Sequence, residues 1–457
     1  MTKLDFGKLF ASLKALDYRK LLSDYGNVLV LLILCVVMSF ATVKEQPATS
    51  PAAAEELASL VLSENGKGAQ VMVLVRGGKK GAGPKFAKNL ERSLEEVGLN
   101  VVANVQGSPR DSRIALRDHP KDQPLAAVVT DQHIAVFCAE QLPGLAKENP
   151  ALAQSKRYSP TKHTWPVFLK IDNLRNVLKQ IAVVAVIAIG MTLVIITGGI
   201  DLSVGSLIAF SAVITALSID HLGGTDPTTS HLLLGSLAGV VACALIGMGT
   251  GGLVTVFKIP AFIVTLGVMF IARGLAFLCL EKPNGLPIGN EEAFKWLGSG
   301  ADFGLHNSVV LMLILYVLAH IMMSRTSIGR YVYAVGGNPE AARLSGVPVK
   351  RVLVFVYLLC GLLAGLGGVM TASLQMSGDP KAGNLVELQV IAAVVVGGTS
   401  LAGGKGKIFG TLVGALIIGV IKNGMNLASI EGKKQDVIFG TVILIAVLVD
   451  QLKARLR

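Results

Sequence analysis

Ten long apolar stretches constrain this chain more than any other feature of its sequence. Crossing a hydrocarbon core about 30 Å thick takes about 20 apolar residues in a helix. The predicted spans are 27–43, 178–197, 202–219, 231–257, 262–280, 308–324, 352–374, 385–401, 407–426 and 437–452. The mean hydropathy of +0.61 agrees with them and disfavours an ordinary soluble enzyme.

Positive charge predicts how the spans are oriented. Lysine and arginine collect before the first span, in the loop 324–351 and in the C-terminal tail, and short cytoplasmic segments carry such an excess. The residues are Lys3, Lys8, Lys14, Arg19 and Lys20; Arg325, Arg330, Arg343, Lys350 and Arg351; and Lys453, Arg455 and Arg457. Both termini are therefore predicted to be cytoplasmic. No basic patch with interleaved aromatic residues indicates a nucleic-acid partner.

The first span, 27–43, is predicted to be a retained anchor that follows a cytoplasmic segment, residues 1–26. A cleaved signal peptide is the alternative, because basic residues precede the span and Ser39 and Ala41 lie near its end. The apolar stretch is longer than the roughly 7–15 residues typical of signal peptides, which favours the anchor.

Residues 44–165 are predicted to form a small α/β domain, inserted before a permease-like core at 166–457. Apolar strands alternate with helices in this range, which predicts a parallel sheet. The strands are Val71–Val75, Val101–Val105 and Ala126–Thr130; one helix carries Phe86, Leu90, Leu94 and Val97 on one face, and Ser108 and Pro109 begin another. The flanks, 44–66 and 139–165, are predicted to be linkers. The domain is expected on the extracytoplasmic side.

Glycines recur at four-residue spacing within the spans, which predicts closely packed helices. They are Gly235 and Gly239, Gly247 and Gly251, Gly361 and Gly365, and Gly406, Gly410 and Gly414. The run from Gly398 to Gly406 does not fit a P-loop, because Thr399 replaces the first glycine and Gly406 the final hydroxyl residue. It is predicted to be a tight reversal between two membrane helices.

Few ionisable residues lie within the spans, and such residues are costly in a membrane. Asp201, Arg273 and Glu387 are the notable ones. Asp201 follows two glycines and is predicted either to cap a helix or to contact a pathway or gate. Candidate pathway or gate residues are Asp201, Ser203, Thr399 and Ser400.

The loop 324–351 contains a short helix with strong end signals. Its central run extends from Gly336 to Gly346, GGNPEAARLSG. Asn338 is the predicted N-cap, and Pro339 suits the first helical position. Glu340 suits the positive end of the helix dipole, and Gly346 can end the helix. The residues alone leave open whether this helix merely joins two spans or docks a cytoplasmic partner.

Three segments together resemble the ribose-type sugar permeases of bacterial ABC importers. They are the loop just described, the run GMTLVIITGGIDLSVGS from Gly190 to Ser206, and the run IAAVVVGGTSLAGGKG from Ile391 to Gly406. The resemblance extends from about residue 166 to the C-terminus, with the first span as its detached beginning. Members of that family usually join their first two spans by a short link, so the insertion at 44–165 is a departure.

The resemblance implies an all-α polytopic membrane protein of about ten transmembrane helices, here with a small inserted α/β domain. It implies a homodimer with a second permease subunit, surrounded by lipid in the bacterial inner membrane. A periplasmic sugar-binding protein would deliver a ribose-like pentose or related sugar, and a cytoplasmic ABC ATPase would supply the energy. The coupling residues would be Asn338, Pro339, Glu340, Ala341, Arg343, Leu344 and Gly346. The permease itself is expected to have no catalytic residue, cofactor or metal.

Two alternatives remain open at this point. Spans 178–219 and 385–426 share a helix, glycine-rich turn and helix, which is also compatible with an ion-gradient-driven secondary transporter. The scarcity of buried acids counts against ion coupling. The insertion resembles the start of a periplasmic sugar-binding lobe, and it either helps to dock the binding protein or has no binding role.

Overall fold

The structure, a computed structural model, describes residues 18–47, 49–77, 82–224, 226–280, 285–289, 291–302 and 304–455. Lys3, Lys8, Lys14 and Arg457, which contribute to the predicted orientation, lie outside the described residues. The chain divides into two compact units: one is Val43–Pro166, and the other consists of the residues on either side of that segment. The first is an α/β unit and the second is a unit of helices.

The first element, α1 (Tyr18–Ala41), belongs to the helical unit, and the chain that follows it forms the α/β unit. Its elements are β1 (Val43–Pro47), α2 (Pro51–Asn65), β2 (Gln70–Arg76), α3 (Ala82–Glu96), β3 (Asn100–Gly107), α4 (Pro109–Arg117), β4 (Ala127–Thr130), α5 (Gln132–Glu148), β5 (Lys156–Tyr158) and β6 (Lys162–Pro166). Four strands form a parallel sheet in the order β3, β2, β4, β5. β1 and β6 pair separately as an antiparallel ribbon.

Both faces of the parallel sheet are buried, which explains its apolar strands. In β2, Val71, Val73 and Val75 pack with α2 and α3. Met72 and Leu74 of the same strand pack with α4 and α5 on the opposite face. A nearly continuous apolar run is typical of a parallel strand covered by helices on both sides.

The alternating elements predicted for this unit are confirmed. Val71–Val75 and Val101–Val105 lie in β2 and β3, and β4 begins one residue after Ala126. Phe86, Leu90 and Leu94 of α3 are buried on one face. Ser108 caps α4, since its N–H donates to the Asp111 carboxylate at 2.7 Å and its Oγ accepts from the Asp111 N–H at 3.4 Å.

The predicted linkers at 44–66 and 139–165 are wrong, because those ranges form β1, α2, the end of α5, β5 and β6. Their composition is polar, yet α2 has a clear helix start in which Ser50 Oγ accepts from the Ala53 N–H at 3.2 Å. One face of α2 then buries Leu57 and Val61 against the sheet. Tertiary burial therefore outweighs a composition that suggested a linker.

The helical unit continues from the α/β unit to the end of the described chain. Its elements are α6 (Ile171–Ile196), α7 (Val204–Gly223), α8 (Thr229–Val256), α9 (Ala261–Leu278), β7 (Leu286–Pro287), α10 (Glu291–Ser299), α11 (Asn307–Arg325), α12 (Ser327–Gly337), α13 (Pro339–Leu344), α14 (Val349–Gln375), β8 (Ser377–Gly378), α15 (Val386–Val396), α16 (Ile408–Leu427) and α17 (Gly432–Arg455). The two short strands, β7 and β8, pair antiparallel.

Seven of the described helices are long and apolar enough to cross a membrane, namely α6, α7, α8, α9, α11, α14 and α16. α1 and α17 have 24 residues each and overlap the first and last predicted spans, 27–43 and 437–452. The apolar part of α1 is the shorter stretch Gly26–Ala41. The helical fold class predicted from the sequence is confirmed.

The predicted span 385–401 is too long. α15 has only 11 residues and rises only about 16 Å, roughly half of a bilayer core. Gly397 and Gly398 end it early, and Gly398 has a φ of +91°, which residues with a side chain rarely adopt. The remaining residues of the predicted span form a loop.

Glycines bring α14 close to its neighbours. A Cβ added to Gly361 of α14 would lie 3.0 Å from the Cα of Gly247 in α8, and a Cβ on Gly190 of α6 would lie 2.7 Å from the Cα of Cys360. The predicted close packing is confirmed, because an added Cβ would also collide with a neighbour at Gly235, Gly239, Gly247, Gly251, Gly361, Gly365, Gly406, Gly410 and Gly414. Such contacts hold helices together in lipid, where the hydrophobic effect does not drive helices to associate.

We expect Gly247→Leu to destabilise the helical unit by roughly 1–3 kcal/mol or more, because the new side chain has no room against α14. Gly249→Leu, on the same helix, is the matched control, since nothing lies within 4 Å of a Cβ at that position. Thermal unfolding of the detergent-purified chain measures the difference. Equal melting temperatures for the two variants would contradict the packing described here.

Candidate functional site

The short helix α13 has the ends that the sequence predicts. Asn338 Oδ1 accepts a hydrogen bond from the Ala341 N–H at 3.0 Å, and Pro339 occupies the first helical position. Gly346 follows with a φ of +82°, a left-handed conformation common after helix ends. The capped helix predicted between two spans is therefore confirmed.

α13 presents an exposed face. The guanidinium of Arg343 and the carboxylate of Glu340 form an ion pair at 2.8 Å, and both side chains are exposed. Leu344 is 83% exposed beside them. Ala342 is buried and holds the helix against the bundle. A single exposed leucine is ordinary on a protein surface, but this one stands beside an ion pair on a helix whose ends are fixed.

Two glycine-rich loops lie together near α13. The first glycine loop, 197–203, joins α6 to α7, and the second glycine loop, 397–407, joins α15 to α16. The Gly404 N–H donates to the Ile196 carbonyl at the end of α6, at 2.8 Å. Gly404 has a φ of +72°, so this contact depends on glycine. The bond connects the second loop to the end of α6, where the first loop begins, about 200 residues away in the sequence.

The end of α12 packs onto both loops. The Tyr333 hydroxyl donates to the Gly406 carbonyl of the second loop at 2.7 Å. Gly336 lies against Ile196 and Gly404, and a Cβ there would be 2.8 Å from the Gly404 nitrogen. Only Gly337 and Asn338 separate this contact from the first residue of α13. The exposed helix is therefore connected to both loops through a very short stretch of backbone.

Asp201 is buried in the first glycine loop. Its Oδ1 accepts hydrogen bonds from the Ser203 N–H at 2.9 Å and from the Ser203 hydroxyl at 2.6 Å. The N-cap position of α7 belongs to Ser203, so the predicted N-cap role of Asp201 is wrong. The carboxylate instead closes a local turn of the kind that Asp and Asn form with the residue two positions on. The Thr265 hydroxyl of α9 donates to the neighbouring Ile200 carbonyl at 3.1 Å.

Thr399 and Ser400 shape the second glycine loop. The Ser400 N–H donates to the Lys405 carbonyl at 3.0 Å and closes the reversal. Thr399 is buried against Gly406, and its hydroxyl finds no partner among the residues that the structure describes. Asp201, Ser203 and Thr399 are each 1% exposed, so they are too buried to line an open passage in this conformation.

Tyr357 of α14 is a residue that the sequence analysis missed. It lies against Gly199 and beside Asp201, and within the described part of the chain its buried hydroxyl has no hydrogen-bond partner. Tyr333 and Gly336 were missed for the same reason, since their contacts are with residues far away in the sequence. No local pattern distinguishes these positions from ordinary helix residues.

Polar groups at membrane depth form a second feature of the unit. Arg273 lies about two-thirds of the way along α9 and donates to the carbonyls of Pro380 at 3.0 Å and Ala382 at 2.7 Å. Glu387 lies near enough to interact with its charge. Lys422 of α16, which the sequence analysis also missed, donates to Gln389 at 3.4 Å. Non-helical backbone at this depth needs such internal partners, and Arg273 supplies them.

Across the described ranges, no three His, Cys, Asp or Glu side chains are grouped so as to hold a metal ion. The helical unit contains a set of spans, two glycine loops that lie against each other, and an exposed helix that follows the contact between α12 and these loops. Through these loops the exposed helix is connected to α6, α7, α15 and α16.

The helical unit also matches a known family. Residues 173–447 match the family described as "Branched-chain amino acid transport system / permease component", which covers more than half of the chain. The chain belongs to this family. With seven apolar helices of spanning length, the permease is a multi-pass inner-membrane protein, and as a permease component it is a non-enzymatic subunit.

The permease is similar to several sugar permeases. Identity to the ribose import permease protein RbsC of Escherichia coli K12 is 44% over 293 residues, which are 63% of this chain and 88% of the relative. The RbsC of Bacillus subtilis is 43% identical over 289 residues, 63% and 88% of the two chains. The L-arabinose ABC transporter permease protein AraH of Azospirillum brasilense is 38% identical over 295 residues, 64% and 84%. No solved structure matches the permease.

We expect Gly336→Ala to loosen the contact between α12 and the glycine loops, because the added methyl group meets the Ile196 carbonyl. An overpacking cost of roughly 1–3 kcal/mol corresponds to local opening that is about five- to 150-fold more frequent. Hydrogen exchange measured by mass spectrometry on a peptide spanning 397–407 should show this acceleration. Gly337→Ala is the matched control, since nothing lies within 4 Å of a Cβ there; indistinguishable exchange in the two variants would rule out the contact.

Proposed function

We propose that this permease is the membrane-spanning subunit of an ATP-driven ABC importer for a monosaccharide, a ribose-like pentose or a related sugar. The names of its relatives support this, since they are ribose import and L-arabinose ABC transporter permeases. A separate cytoplasmic ABC ATPase hydrolyses the ATP, and a periplasmic sugar-binding protein delivers the substrate. A second copy of the permease completes the path as a homodimer in the membrane.

One observation carries the proposal: α13 is exposed, rigidly capped and joined directly to both glycine loops. The loops begin or end α6, α7, α15 and α16, so displacement of α13 by a partner moves the ends of four helices together, three of which are long enough to cross the membrane. Asn338, Pro339, Glu340, Ala341, Arg343, Leu344 and Gly346 form the coupling surface. Asp201, Ser203, Thr399 and Ser400 form the gate or hinge that responds.

The distribution of charge supports the orientation of this surface. The segment that contains α12 and α13 carries Arg325, Arg330, Arg343, Lys350 and Arg351, and an excess of positive charge favours the cytoplasmic side. Both glycine loops contact this segment and therefore lie on the same side. Basic residues also collect before α1 and at the C-terminal end of the chain, so we place both termini in the cytoplasm as well.

An ion-gradient-driven transporter is the weaker candidate. Such a protein needs ionisable groups that bind and release the coupling ion near the middle of the membrane. Here the guanidinium of Arg273 donates hydrogen bonds to two backbone carbonyls, and the Asp201 carboxylate accepts a hydrogen bond from the Ser203 hydroxyl. The relatives named as ABC permeases also favour ATP as the energy source.

A charge swap on α13 tests the coupling surface. We expect Glu340→Arg and Arg343→Glu, each alone, to weaken copurification with the ATPase, because each breaks the 2.8 Å ion pair and alters the docking face. The double variant restores an ion pair within the helix but presents the charges in reversed positions. If the residues matter for docking, the double variant should remain defective in ATPase binding and in sugar uptake.

The double variant also separates docking from helix stability. Exposed ion pairs three residues apart contribute only about 0.2–0.5 kcal/mol to a helix, so all three variants should melt close to the parent chain. Recovery of normal ATPase binding in the double variant would show that only the intrahelical pair matters. Lys433→Glu, which reverses an exposed charge outside this surface, is the control for net charge.

We propose that the α/β unit at 44–165 lies on the periplasmic side and helps to dock the sugar-binding protein. The β1–β6 ribbon supports a clean test, because Pro47 lies opposite Lys162. Replacing residues 48–161 by Asn-Gly should close the ribbon as a two-residue hairpin.

This shortened permease should still insert and bind the ATPase, while uptake supported by the binding protein falls several-fold. Addition of excess binding protein should restore part of the uptake, because the defect is one of affinity. Undiminished uptake at limiting binding protein would eliminate the docking role and leave the importer assignment untouched.

A further inference from the structure

The parallel sheet of the α/β unit has a point at which its connections change direction. From β2 the chain passes through α3 to β3 on one side, and then through α4 to β4 on the other side of β2. α3 packs on one face of the sheet, whereas α4 and α5 pack on the opposite face. In open α/β sheets a crevice forms at such a point, outside the carboxyl ends of the strands, and ligands bind there.

A cleft occupies this position. Its volume is about 650 Å³, within the range of about 300–1,000 Å³ typical of small-molecule sites. The lining comes from the carboxyl ends of two strands and from the residues that follow three strands. These residues are Arg76 at the end of β2 and Gly77 after it, Gln106 and Gly107 at the end of β3 with Ser108 and Pro109 after it, and His133 and Ile134 after β4. The cleft is therefore built by the topology of the sheet rather than by a single surface loop.

The floor of the cleft consists of backbone without side chains. The Gly77 N–H donates to the Gly107 carbonyl at 2.9 Å, and a Cβ on Gly77 would lie 2.7 Å from the Gln106 oxygen. A Cβ on Gly107 would lie 2.8 Å from the Cβ of Asp111. The two glycines therefore let the ends of β2 and β3, and the Asp111 side chain, approach one another closely.

The two acidic side chains near the cleft, Asp111 and Asp131, already accept hydrogen bonds from neighbouring residues. Asp131 accepts the Arg76 N–H at 3.0 Å and the Ile134 N–H at 2.8 Å with its two oxygens. Asp111 accepts the N–H and the hydroxyl of Ser108 at 2.7 and 2.8 Å, and these hydrogen bonds lower the pKa of the Asp111 carboxyl. Both carboxylates therefore serve the fold.

The basic side chains of the cleft, unlike its acids, have no partner among the described residues. Arg76 and His133 are exposed in the cleft, and neither side chain forms an ion pair or hydrogen bond with another described residue. A guanidinium presents a planar fork of donors that matches a carboxylate or a phosphate with two hydrogen bonds. Gln106 and Ser108 add polar atoms at the same rim.

We propose that this cleft binds a small organic anion through its carboxylate or phosphate group, with Arg76 as the principal contact and His133 as a second. The anionic group sits beside the Arg76 guanidinium, at the carboxyl end of β2. Uncharged parts of the ligand contact Gln106 and Ser108 at the rim of the cleft. This binding is independent of sugar transport by the helical unit.

The test uses the full-length chain in nanodiscs and calorimetric titration with four probes: ribose 5-phosphate, ribonate, inorganic phosphate and D-ribose. At least one anionic probe should bind, and D-ribose should bind at least tenfold more weakly than that probe. Preference for ribose 5-phosphate or ribonate identifies phosphate or carboxylate as the recognised group. Failure of all three anionic probes to bind, or equal binding of D-ribose, overturns the proposal.

Two variants locate the site. Arg76→Gln should weaken binding of the anionic probe by about tenfold or more, as expected for loss of a charge-assisted pair. Arg113→Gln, which removes an exposed charge from α4 away from the cleft, should leave binding within about twofold. The melting temperature of each variant confirms that the domain remains folded. If Arg76→Gln binds as the parent does, the anion sits elsewhere and the proposal is wrong.

Discussion

The close approach of α14 to α6 and α8 is the constraint on which the helical unit depends. In lipid, apolar side chains gain little by leaving the solvent for each other, so association relies on dispersion contacts and on small residues. Gly190 against Cys360 and Gly247 against Gly361 bring backbones together on two sides of one helix. Larger residues there would separate three spans at once, because α14 is their common neighbour.

A second constraint follows from the first. Where a helix ends inside the bundle, and in the loops between helices, backbone carbonyls lack helical partners and must find donors within the protein. Gly404 N–H serves Ile196, the Tyr333 hydroxyl serves Gly406, and Arg273 serves Pro380 and Ala382. Each donor comes from an element distant in the sequence. The bonds that satisfy the broken helices therefore also tie separate spans to one another.

Much of this architecture is predictable from local signals. Apolar length located the spans, and the run from Asn338 to Gly346 predicted a capped helix because each signal acts within a few residues. The length of α15 was not predicted, because the apolar stretch continues past Gly397 whereas the helix ends at Val396. The turn made by Asp201, and the contacts of Tyr333 and Tyr357, depend on neighbours from other spans. The burial that makes α2 a helix rather than a linker is likewise a property of the assembled sheet.

The antiparallel β1–β6 ribbon has a consequence for the history of the chain. Val43 lies opposite Pro166, so the polypeptide returns to within about 5 Å of the point at which it departed. A gene that acquired or lost the DNA for this module would present the next helix with nearly the same starting position. The ribbon thus makes the two units separable in evolution, and either can accumulate changes at its own pace.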